Sequence, residues 1–471
     1  MNTFHPSILK TYDIRGIYQE TLHDEDAYRW GYLFTQYLKL EKPKSPPKIA
    51  VGYDTRKSSP NLKKAMIEGI VDAGGYAIDI GMGPTPYLYN ATKTLRTQGG
   101  IMITGSHNPS NYNGFKTLTS SGPVSGELIQ KIASMPLSEK GDPGKSKKDE
   151  FYGRYLLEVM MNASLMPFSG MPIVWDCGNG AMGIIIDLFA EVYGGPDHIA
   201  LFTEPNGDFP NHHPDPSKSE NYTALLRKMQ EVSARVGFMF DGDGDRMGIV
   251  LDGKILLPDQ IIAVLALDYL YHFAEQFGNK IIVDVKASAS LVDILESSGA
   301  EVVFSPCGHS LIKEKMKKQK IGFAGETSGH IFYKHNHNFD DGLLAAFTFL
   351  RLLINSPTLI EHVLKKWKKN HLSPEIRIPF DDQTKDTLFK NLEKEISKLN
   401  MTVLKIDGIR ALNDDGWFLI RASNTEPQLS MRVEGHTQET YEKLCRTLET
   451  VLSNSGNPID ILSILTKKDP L

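Results

Sequence analysis

The stretch GGIMITGSHNP, residues 99–109, joins an apolar run to a polar loop that contains glycine, asparagine and proline. The same arrangement recurs in VGFMFDGDGDR, residues 236–246, and in KIGFAGETSGH, residues 320–330. A short apolar run that ends at turn-forming residues is typical of a buried strand. Three such strands, each opening into a polar loop, indicate three related units.

An earlier apolar run precedes each of these strands and ends in aspartate. KIAVGYD ends at Asp54, MPIVWDCGNG reaches Asp176 and KIIVDVKAS reaches Asp284. Amphipathic segments of helical length separate the runs, and this alternation is typical of α/β architecture. Because ligands in open α/β sheets bind at the carboxyl ends of strands, we expect all three polar loops to carry function.

Breaks in composition divide the 471 residues into four predicted domains. The polar, Gly/Pro/Lys-rich stretch at 138–150 predicts a linker or loop, and GIVLDGKILLPD at 248–259 predicts a hairpin around an Asp-Gly turn. A further break at 365–375 leads into strands such as GWFLI and QLSMRVEG, which suggest a separate α+β unit. The predicted boundaries are 1–150, 151–255, 256–370 and 371–471.

The composition predicts a soluble globular protein without a nucleic-acid surface, since charged residues make up 23% and the formal net charge is −5. The N-terminal residues lack a basic segment followed by an apolar core. The most apolar helix candidate, QIIAVLALDYLYHF, is too short to span a bilayer. The three cysteines lack metal-ligand spacing. We therefore expect a cytoplasmic protein with no membrane or nucleic-acid partner.

The segment DGDGDR places three carboxylates at alternate positions, those of Asp241, Asp243 and Asp245. Carboxylates so close repel one another, and a hard divalent cation is the natural compensation. Oxygens that share one Mg²⁺ lie at most about 4.2 Å apart, whereas alternate side chains on a strand are about 6.6 Å apart. The loop must therefore curl, which Gly242 and Gly244 permit. A calcium EF-hand is excluded by its sixth and twelfth positions, and a solvated acidic turn is the alternative.

Ser106 in TGSHNP admits three interpretations. A hydrolase is disfavoured because the pattern G-x-S-x-G is absent, and in an extended segment His107 would point away from Ser106. A turn or capping residue would need no chemistry. A phosphoryl carrier would bring about −1.5 to −2 charge and three acceptor oxygens. Next to the aspartate loop, it would complete the ligand set of a magnesium ion, which explains two motifs at once.

The loop GETSGH places Glu326, Ser328 and His330 at alternating positions after an apolar run. A carboxylate and a hydroxyl that face one side suit vicinal sugar hydroxyls, which both donate and accept hydrogen bonds. The alternative is an ordinary surface loop.

The loop RASNTEP follows the strand-like GWFLI and combines a planar guanidinium with hydroxyl and amide donors. These groups belong to Arg421, Ser423, Asn424 and Thr425. Such a loop is suited to phosphate binding, and a capped turn is the alternative.

The four loops TGSHNP, DGDGDR, GETSGH and RASNTEP, in this order and at these separations, resemble the α-D-phosphohexomutase family. The resemblance is strongest to its bacterial phosphomannomutase/phosphoglucomutases and extends from YDIRG at 12–16 over nearly the whole chain. It implies three related mixed-sheet α/β domains around a central cleft plus a smaller C-terminal α+β domain. In chain order, these domains would carry the phosphoserine, the metal, the sugar-recognition residues and the phosphate-binding residues.

The resemblance also implies roles for individual residues. Ser106 matches the phosphorylated serine, and Ser106, Asp241, Asp243 and Asp245 match the Mg²⁺ ligands. Lys116, His309 and His330 are candidates for the general acid and base, and Arg15 would favour the charged transition state. The residues that match substrate contacts are Tyr12, Arg246, Lys286, Glu326, Ser328, Arg421, Ser423, Asn424 and Thr425.

The reaction that the resemblance implies is a reversible exchange between hexose 6-phosphate and hexose 1-phosphate, with a hexose 1,6-bisphosphate as intermediate and activator. Where this chain has Thr327, the bacterial phosphomannomutase/phosphoglucomutases often have Met and phosphoglucosamine mutases often have Gln. We expect mannose and glucose phosphates first and glucosamine phosphate second. A metal-dependent sugar-phosphate phosphatase and a regulator that only binds sugar phosphates are the alternatives. The expected partner is a small sugar phosphate, and the expected state is a monomer or a weak homo-oligomer.

Overall fold

The computed structural model describes residues 3–41, 45–167, 170–368, 370–380, 384–422 and 428–466. Within these ranges the strands form four β-sheets of seven, five, five and six strands in chain order. We refer to the units built on them as the first to fourth domains. The predicted fold class, mixed-sheet α/β domains followed by an α+β unit, is confirmed. The boundaries at 150, 255 and 370 stay predictions.

The first domain combines a mixed sheet with four helices. Its strands are β1 (Ile14–Ile17), β2 (Lys48–Tyr53), β3 (Tyr76–Met82), β4 (Gly99–Ile103), β5 (Tyr112–Thr119), β6 (Gly122–Pro123) and β7 (Lys145–Lys148). Its helices are α1 (Asp24–Glu41), α2 (Ser59–Asp72), α3 (Thr85–Thr94) and α4 (Glu127–Ala133). The strand order is β1-β5-β4-β2-β3-β7, with β6 paired to β5.

Strand β7 corrects the prediction of a linker or loop at 138–150. It pairs in parallel with β3 at the edge of the first sheet, and all four of its residues are exposed. Its sequence, KSKK, has no apolar face, so the hydrophobic pattern could not reveal a strand that is held by backbone pairing alone.

The second and third domains continue the alternation of strands and helices. The second contains α5 (Tyr152–Ala163), β8 (Ile173–Asp176), α6 (Gly183–Phe189), β9 (His198–Leu201), α7 (Thr223–Glu231), β10 (Val236–Phe240), β11 (Met247–Leu251) and β12 (Lys254–Ile255). The third contains α8 (Pro258–Phe277), β13 (Lys280–Asp284), α9 (Ala289–Ser297), β14 (Glu301–Ser305), α10 (His309–Gln319), β15 (Phe323–Gly325), β16 (Ile331–Tyr333), β17 (Phe339–Asp340), α11 (Gly342–Asn355) and α12 (Pro357–Lys366). The predicted hairpin at 248–259 is confirmed, because β11 and β12 pair antiparallel.

The three α/β sheets share one arrangement of four strands. The neighbours are β3-β2-β4-β5 in the first sheet, β9-β8-β10-β11 in the second and β14-β13-β15-β16 in the third. In each, the first three strands are parallel and the fourth is antiparallel to the third. The polar loops singled out in the sequence are the turns between those last two strands, so all three occupy the same place in their domains.

The fourth domain is built on a sheet of different order, β18-β23-β22-β21-β20, with β19 paired to β23. Its strands are β18 (His371–Leu372), β19 (Ile376–Pro379), β20 (Thr402–Leu404), β21 (Ile409–Asn413), β22 (Gly416–Ala422) and β23 (Gln428–Gly435). Its helices are α13 (Lys385–Ile396), α14 (Gln438–Asn454) and α15 (Ile461–Thr466). The predicted strands GWFLI and QLSMRVEG are confirmed as parts of β22 and β23.

The hydrophobic core is continuous through the first three domains, whereas the fourth domain has a core of its own. Phe189 of the second domain packs on Phe347 of α11 with ring centroids 4.7 Å apart. The fourth domain instead docks on the third through Arg410, which donates to the carbonyls of Val285 and Ala287 at 2.7 and 2.9 Å. Hydrogen bonds from Arg410 and an apolar cluster of Val285, Cys307, Trp417 and Leu419 therefore join the fourth domain to the third.

Helix α11 is almost entirely buried, in keeping with its apolar sequence. Among the described residues, no single helix has the length and hydropathy needed to cross a bilayer. One bent pair, α11 and α12 at 101° to each other, meets those limits jointly by length and composition.

Candidate active site

Side chains from all four domains line one cavity of about 380 Å³. It contains every described residue to which the sequence analysis gave a role, apart from the three aspartates, which lie buried beneath its wall. These lining residues are Tyr12, Arg15, Ser106, Lys116, Arg246, Lys286, His309, Glu326, Ser328, His330 and Arg421. A larger cavity of about 550 Å³ lies between α1, α3 and α10 and contains none of them. The clustered polar chemistry, and not the volume, therefore locates the candidate site.

Ser106 lies in the turn between β4 and β5 and is only 2% exposed. Its hydroxyl donates to Asp241 Oδ2 at 3.1 Å. Its φ is +48°, so the backbone is left-handed here and the side chain of His107 does not point away. His107 Nδ1 instead lies 3.2 Å from Ser106 Oγ, and the orientation expected from an extended segment is wrong. Burial, with Arg246 nearby, lowers the pKa of His107 well below its usual value, so its ring is neutral.

Two buried residues, Asp54 and Arg56, hold the serine loop in this conformation. Arg56 Nη2 donates to the carbonyl oxygens of Ser106 and Asn108 at 2.8 and 2.6 Å. Asp54 Oδ2 accepts from Gly105 N at 3.0 Å and from Arg56 Nε at 3.1 Å. The sequence analysis marked Asp54 only as the end of a strand and missed Arg56. An Asp-x-Arg sequence directly after a buried strand is the signal that could have indicated this pair.

The turn between β10 and β11 carries three fully buried carboxylates, those of Asp241, Asp243 and Asp245. One oxygen from each lies within 4.8 Å of the others. Gly244 has φ +70°, and a Cβ on Gly242 would lie 2.6 Å from the carbonyl oxygen of Ser106. The predicted curl is therefore present: Gly244 supplies the left-handed bend, and Gly242 allows the acidic turn to approach the serine loop.

The acidic turn fits a hard divalent cation. Burial, together with Asp245 and Asp243, raises the pKa of Asp241 well above its usual value, so this carboxyl group resists ionisation without a further compensating charge. The Oδ1 atoms of Asp243 and Asp245 are buried and accept no hydrogen bond from the residues that the structure describes. Oxygen ligands with excess negative charge are what Mg²⁺ requires, and the hydroxyl of Ser106 adds a further oxygen at the same place.

Lys116 on β5 lies against this acidic turn. Its Nζ donates to Asp243 Oδ2 at 2.8 Å and also to Asp245 Oδ2. Burial acts to lower the pKa of Lys116, but Asp243 and Asp245 raise it above its usual value. The side chain is therefore a charged donor next to Ser106, a position suited to stabilising negative charge on a group bound there.

Both ring nitrogens of His330 are engaged by neighbouring side chains, which fix the ring at the wall of this cavity. Its Nε2 accepts from Arg246 Nε at 3.0 Å, which leaves the ring hydrogen on Nδ1. Nδ1 faces Asp340 Oδ2 across 3.0 Å. Asp340, in β17, went unrecognised in the sequence because it precedes Asp341, and acidic residues before an apolar helix are typical of an N-cap. Asp341 does cap α11, whereas Asp340 turns to His330.

A buried charge network continues behind His330. Lys313 Nζ lies 2.5 Å from Asp340 Oδ1 and donates to Tyr89 OH at 2.9 Å. His309, the first residue of α10, stacks on His330 with ring centroids 5.7 Å apart. Burial and Lys313 lower the pKa of His309 well below its usual value. His309 is therefore neutral and can take part in hydrogen bonds. The charged groups that lie closest behind His330 are the carboxylate of Asp340 and the ammonium of Lys313.

The GETSGH turn between β15 and β16 presents unsatisfied polar groups to the cavity. Glu326 Oε1 accepts from Gly308 N at 3.1 Å. Its Oε2 and the hydroxyl of Ser328 are buried and have no hydrogen-bond partner in the described part of the chain. Thr327 turns the other way, because its N and Oγ1 both donate to Asp284 Oδ2, at 2.9 and 2.7 Å. A carboxylate oxygen and a hydroxyl are thus free for a ligand with vicinal hydroxyls.

Arg421, near the end of β22, bounds the cavity on the side of the fourth domain. Its Nε donates to Asp407 Oδ2 at 2.9 Å, and the same oxygen accepts from Cys307 N at 3.1 Å. Asp407 thus orients the guanidinium and ties it to the third domain. The other three residues predicted for the phosphate loop lie outside the described residues, namely Ser423, Asn424 and Thr425.

Three further predicted residues, Tyr12, Arg15 and Lys286, line the same cavity. Tyr12 OH donates to the carbonyl of Cys307 at 2.7 Å and so connects the first and third domains. Arg15 Nη1 donates to the carbonyl of Gly105 at 2.8 Å, next to the serine. Lys286 is only 8% exposed, and its ammonium lies at the boundary with the fourth domain. Cationic side chains therefore lie at both ends of the cavity, with Arg15 near Ser106 and Lys286 on the side of the fourth domain.

Comparison with known proteins gives matches along most of the chain. Four family models match in order: phosphoglucomutase/phosphomannomutase alpha/beta/alpha domain I at 6–140, domain II at 150–254, domain III at 257–370 and the C-terminal domain at 375–450. The chain is 36% identical over 459 residues to a phosphomannomutase/phosphoglucomutase of Pseudomonas syringae pv. tomato, with 97% of each chain covered. It is 35% identical to a phosphoglucomutase of Neisseria meningitidis, with 96% and 98% covered.

A solved structure is similar over the same extent. A phosphoglucomutase/phosphomannomutase family protein from Burkholderia thailandensis superposes with a TM-score of 0.85 at 30% sequence identity, and the match covers 96% of this chain and 98% of that one. The similarity thus extends over all four domains.

Proposed function

This chain belongs to the phosphoglucomutase/phosphomannomutase family, and on that premise we propose that the cavity described above is its active site. The protein is a hexose phosphate mutase, an isomerase that interconverts hexose 6-phosphate and hexose 1-phosphate. The observation that carries the assignment of the site is the contact of Ser106 Oγ with Asp241 Oδ2 at 3.1 Å, in a fully buried acidic turn.

Ser106 is proposed to carry the transferable phosphoryl group. In the first half of the reaction the free hydroxyl oxygen of the sugar attacks this phosphorus, its proton passes to a base, and the bond from phosphorus to Ser106 Oγ breaks as Oγ takes up a proton. The product is a hexose 1,6-bisphosphate and a free serine. After the bisphosphate turns end for end, Ser106 Oγ attacks its other phosphate, and the proton returns to the oxygen that is released.

Residues at the serine end of the cavity stabilise the phosphoryl group in transfer. Asp241, Asp243, Asp245 and the oxygen of Ser106 would hold Mg²⁺, which supplies positive charge to the phosphoryl oxygens when bound. Lys116, which lies against the same acidic turn, and Arg15, which contacts the serine loop, donate hydrogen bonds to the phosphoryl oxygens. Buried donors that are fixed before the reaction stabilise developing charge without reorganisation, which is why their placement matters.

The remaining lining residues bind the sugar and its resident phosphate. Buried oxygens of Glu326 and Ser328 lack partners among the described residues. Glu326 accepts hydrogen bonds from ring hydroxyls, and Ser328 accepts or donates them. Arg421 and Lys286 bind the phosphate that is not in transfer. Tyr12 and Arg246 complete the wall. Either end of the sugar must be able to carry the phosphate that Arg421 and Lys286 bind. The site therefore accepts the sugar phosphate in two orientations.

Asp340 is proposed to position His330 as the proton acceptor and donor, with Nε2 exchanging the proton once Arg246 Nε moves from it to the substrate. Replacing Asp340 with asparagine is expected to lower kcat about 100-fold, because the imidazolium that forms on His330 loses its buried counter-charge. KM is expected to change less than about threefold, because the substrate contacts remain. Steady-state kinetics on glucose 1-phosphate measure both. An equal replacement at exposed Asp293 is the control, and an unchanged kcat, or a KM that rises as much as kcat falls, would contradict the role.

The function itself is tested by product analysis. Glucose 1-phosphate primed with trace glucose 1,6-bisphosphate is expected to yield glucose 6-phosphate with total organic phosphate conserved. Release of inorganic phosphate at the rate of substrate loss would instead identify a sugar-phosphate phosphatase. The relatives are named for mannose and glucose phosphates, so turnover on these 1-phosphates is expected to exceed turnover on glucosamine 1-phosphate. The reverse order would favour a phosphoglucosamine mutase.

A further inference from the structure

Glu375 places a carboxylate inside the phosphate end of the cavity. Its Oε2 lies 3.0 Å from Arg377 Nη2 and 3.9 Å from Lys286 Nζ, and its Oε1 accepts from the hydroxyl of Ser430. Arg421 lines the same part of the cavity. Glu375 lies outside the four sequence motifs and takes no part in the phosphoryl transfer described above.

Electrostatics make this carboxylate a charged component of the site. Burial acts to raise the pKa of Glu375, but Lys286 and Arg377 hold it below the usual value, so the side chain is ionised at neutral pH. Burial likewise acts to lower the pKa of Lys286, and Glu375 is the main group that raises it. Glu375 also contributes to the raised pKa of Arg421. One carboxylate therefore offsets part of the positive charge that would otherwise face a bound phosphate.

A carboxylate in a phosphate site lowers affinity, because it repels the phosphate and occupies its cations. Weaker binding of the anchored phosphate can speed this reaction. Once in each turnover the bisphosphate must release its anchored phosphate from Arg421 and Lys286 and turn. Binding that is equally strong before and during this step does not speed it, and excessive binding of the anchored phosphate would slow it.

We propose that Glu375 is a built-in counter-anion of the phosphate site, which weakens the hold of Lys286 and Arg421 so that the bisphosphate intermediate can turn. The proposal rests on the function proposed above. The counter-anion and a purely structural role predict opposite changes in phosphate affinity. If Glu375 only kept Lys286 in position, its loss would weaken phosphate binding, whereas the loss of a counter-anion strengthens it.

The test compares Glu375→Gln with the parent enzyme in a Ser106→Ala background, where glucose 1-phosphate binds without turnover. Titration calorimetry is expected to show Kd lowered about fivefold, or about 1 kcal/mol. In the enzyme with Ser106 intact, Glu375→Gln is expected to lower kcat as well. Glu439→Gln, at an exposed position on α14 outside the cavity, makes the same change in net charge and is expected to leave both values unchanged.

Two further variants separate charge from shape. Glu375→Asp keeps the charge and is expected to keep Kd within about twofold of the parent. Glu375→Ala removes the charge, is expected to lower Kd as Glu375→Gln does, and serves if Glu375→Gln does not fold. An unchanged or raised Kd would refute the counter-anion, and a lowered Kd with unchanged kcat would refute its part in turning. Free phosphate as the product of the parent enzyme would instead count against the proposed function, independently of the Kd comparison.

Discussion

Ser106→Ala is expected to abolish isomerisation, with kcat lowered about 10⁴-fold or more, because the hydroxyl that carries the phosphoryl group is gone. The substitution removes one buried oxygen and leaves the backbone contacts of the loop, including those from Arg56, in place. Binding of glucose 1-phosphate is therefore expected to persist. Coupled assay of glucose 6-phosphate formation measures the loss, and calorimetry measures the binding.

Intact-mass analysis adds a second measurement to this experiment. The parent protein, primed with hexose 1,6-bisphosphate, is expected to gain one phosphoryl group, and Ser106→Ala to gain none. Ser134→Ala, at an exposed serine of the same domain, is the matched control and is expected to behave as the parent in both assays. Isomerisation by Ser106→Ala at the rate of the parent would reject the carrier role.

Removal of divalent cations is expected to lower kcat at least about 10³-fold, because the buried acidic turn would then oppose the incoming charge of the phosphoryl group. Dialysis against excess EDTA followed by assay measures this, and added Mg²⁺ is expected to restore the rate. Asp243→Asn is expected to produce a similar loss that Mg²⁺ restores only partly, because one ligand oxygen is gone.

Thermal unfolding reports on the metal independently of activity. Mg²⁺ is expected to raise the Tm of the parent protein, because an ion that binds only the folded state stabilises it. The rise in Tm is expected to be much smaller for Asp243→Asn. It is expected to be unchanged for Asp252→Asn, which alters an exposed carboxylate at the opposite end of strand β11. Full turnover in excess EDTA, with no effect of Mg²⁺ on Tm, would contradict the metal site.

The structure also explains which site residues the sequence could not reveal. Each of them acts through a partner on a different structural element: Arg56 contacts the serine loop, Asp340 faces His330, and Asp407 accepts a hydrogen bond from Arg421. Local patterns report turns, caps and strand ends and do not report which side chains meet after folding, so the sequence assigned no role to Arg56, Asp340 or Asp407. The expected orientation of His107 was wrong for a related reason, because an extended segment was assumed where the backbone is left-handed.

What the sequence by itself determined is the α/β class, the three repeated polar loops and the chemistry that each loop carries, because strand runs, turn glycines and clustered carboxylates are local properties. Only the tertiary structure decided that these loops meet. Three sheets with one strand order place their equivalent turns around a single cavity, and the contact of the fourth domain with the third, through Arg410 and an apolar cluster, brings the fourth domain to it. The edge strand β7 and the pairings of Glu375 likewise depend on contacts between distant segments, which no local pattern encodes.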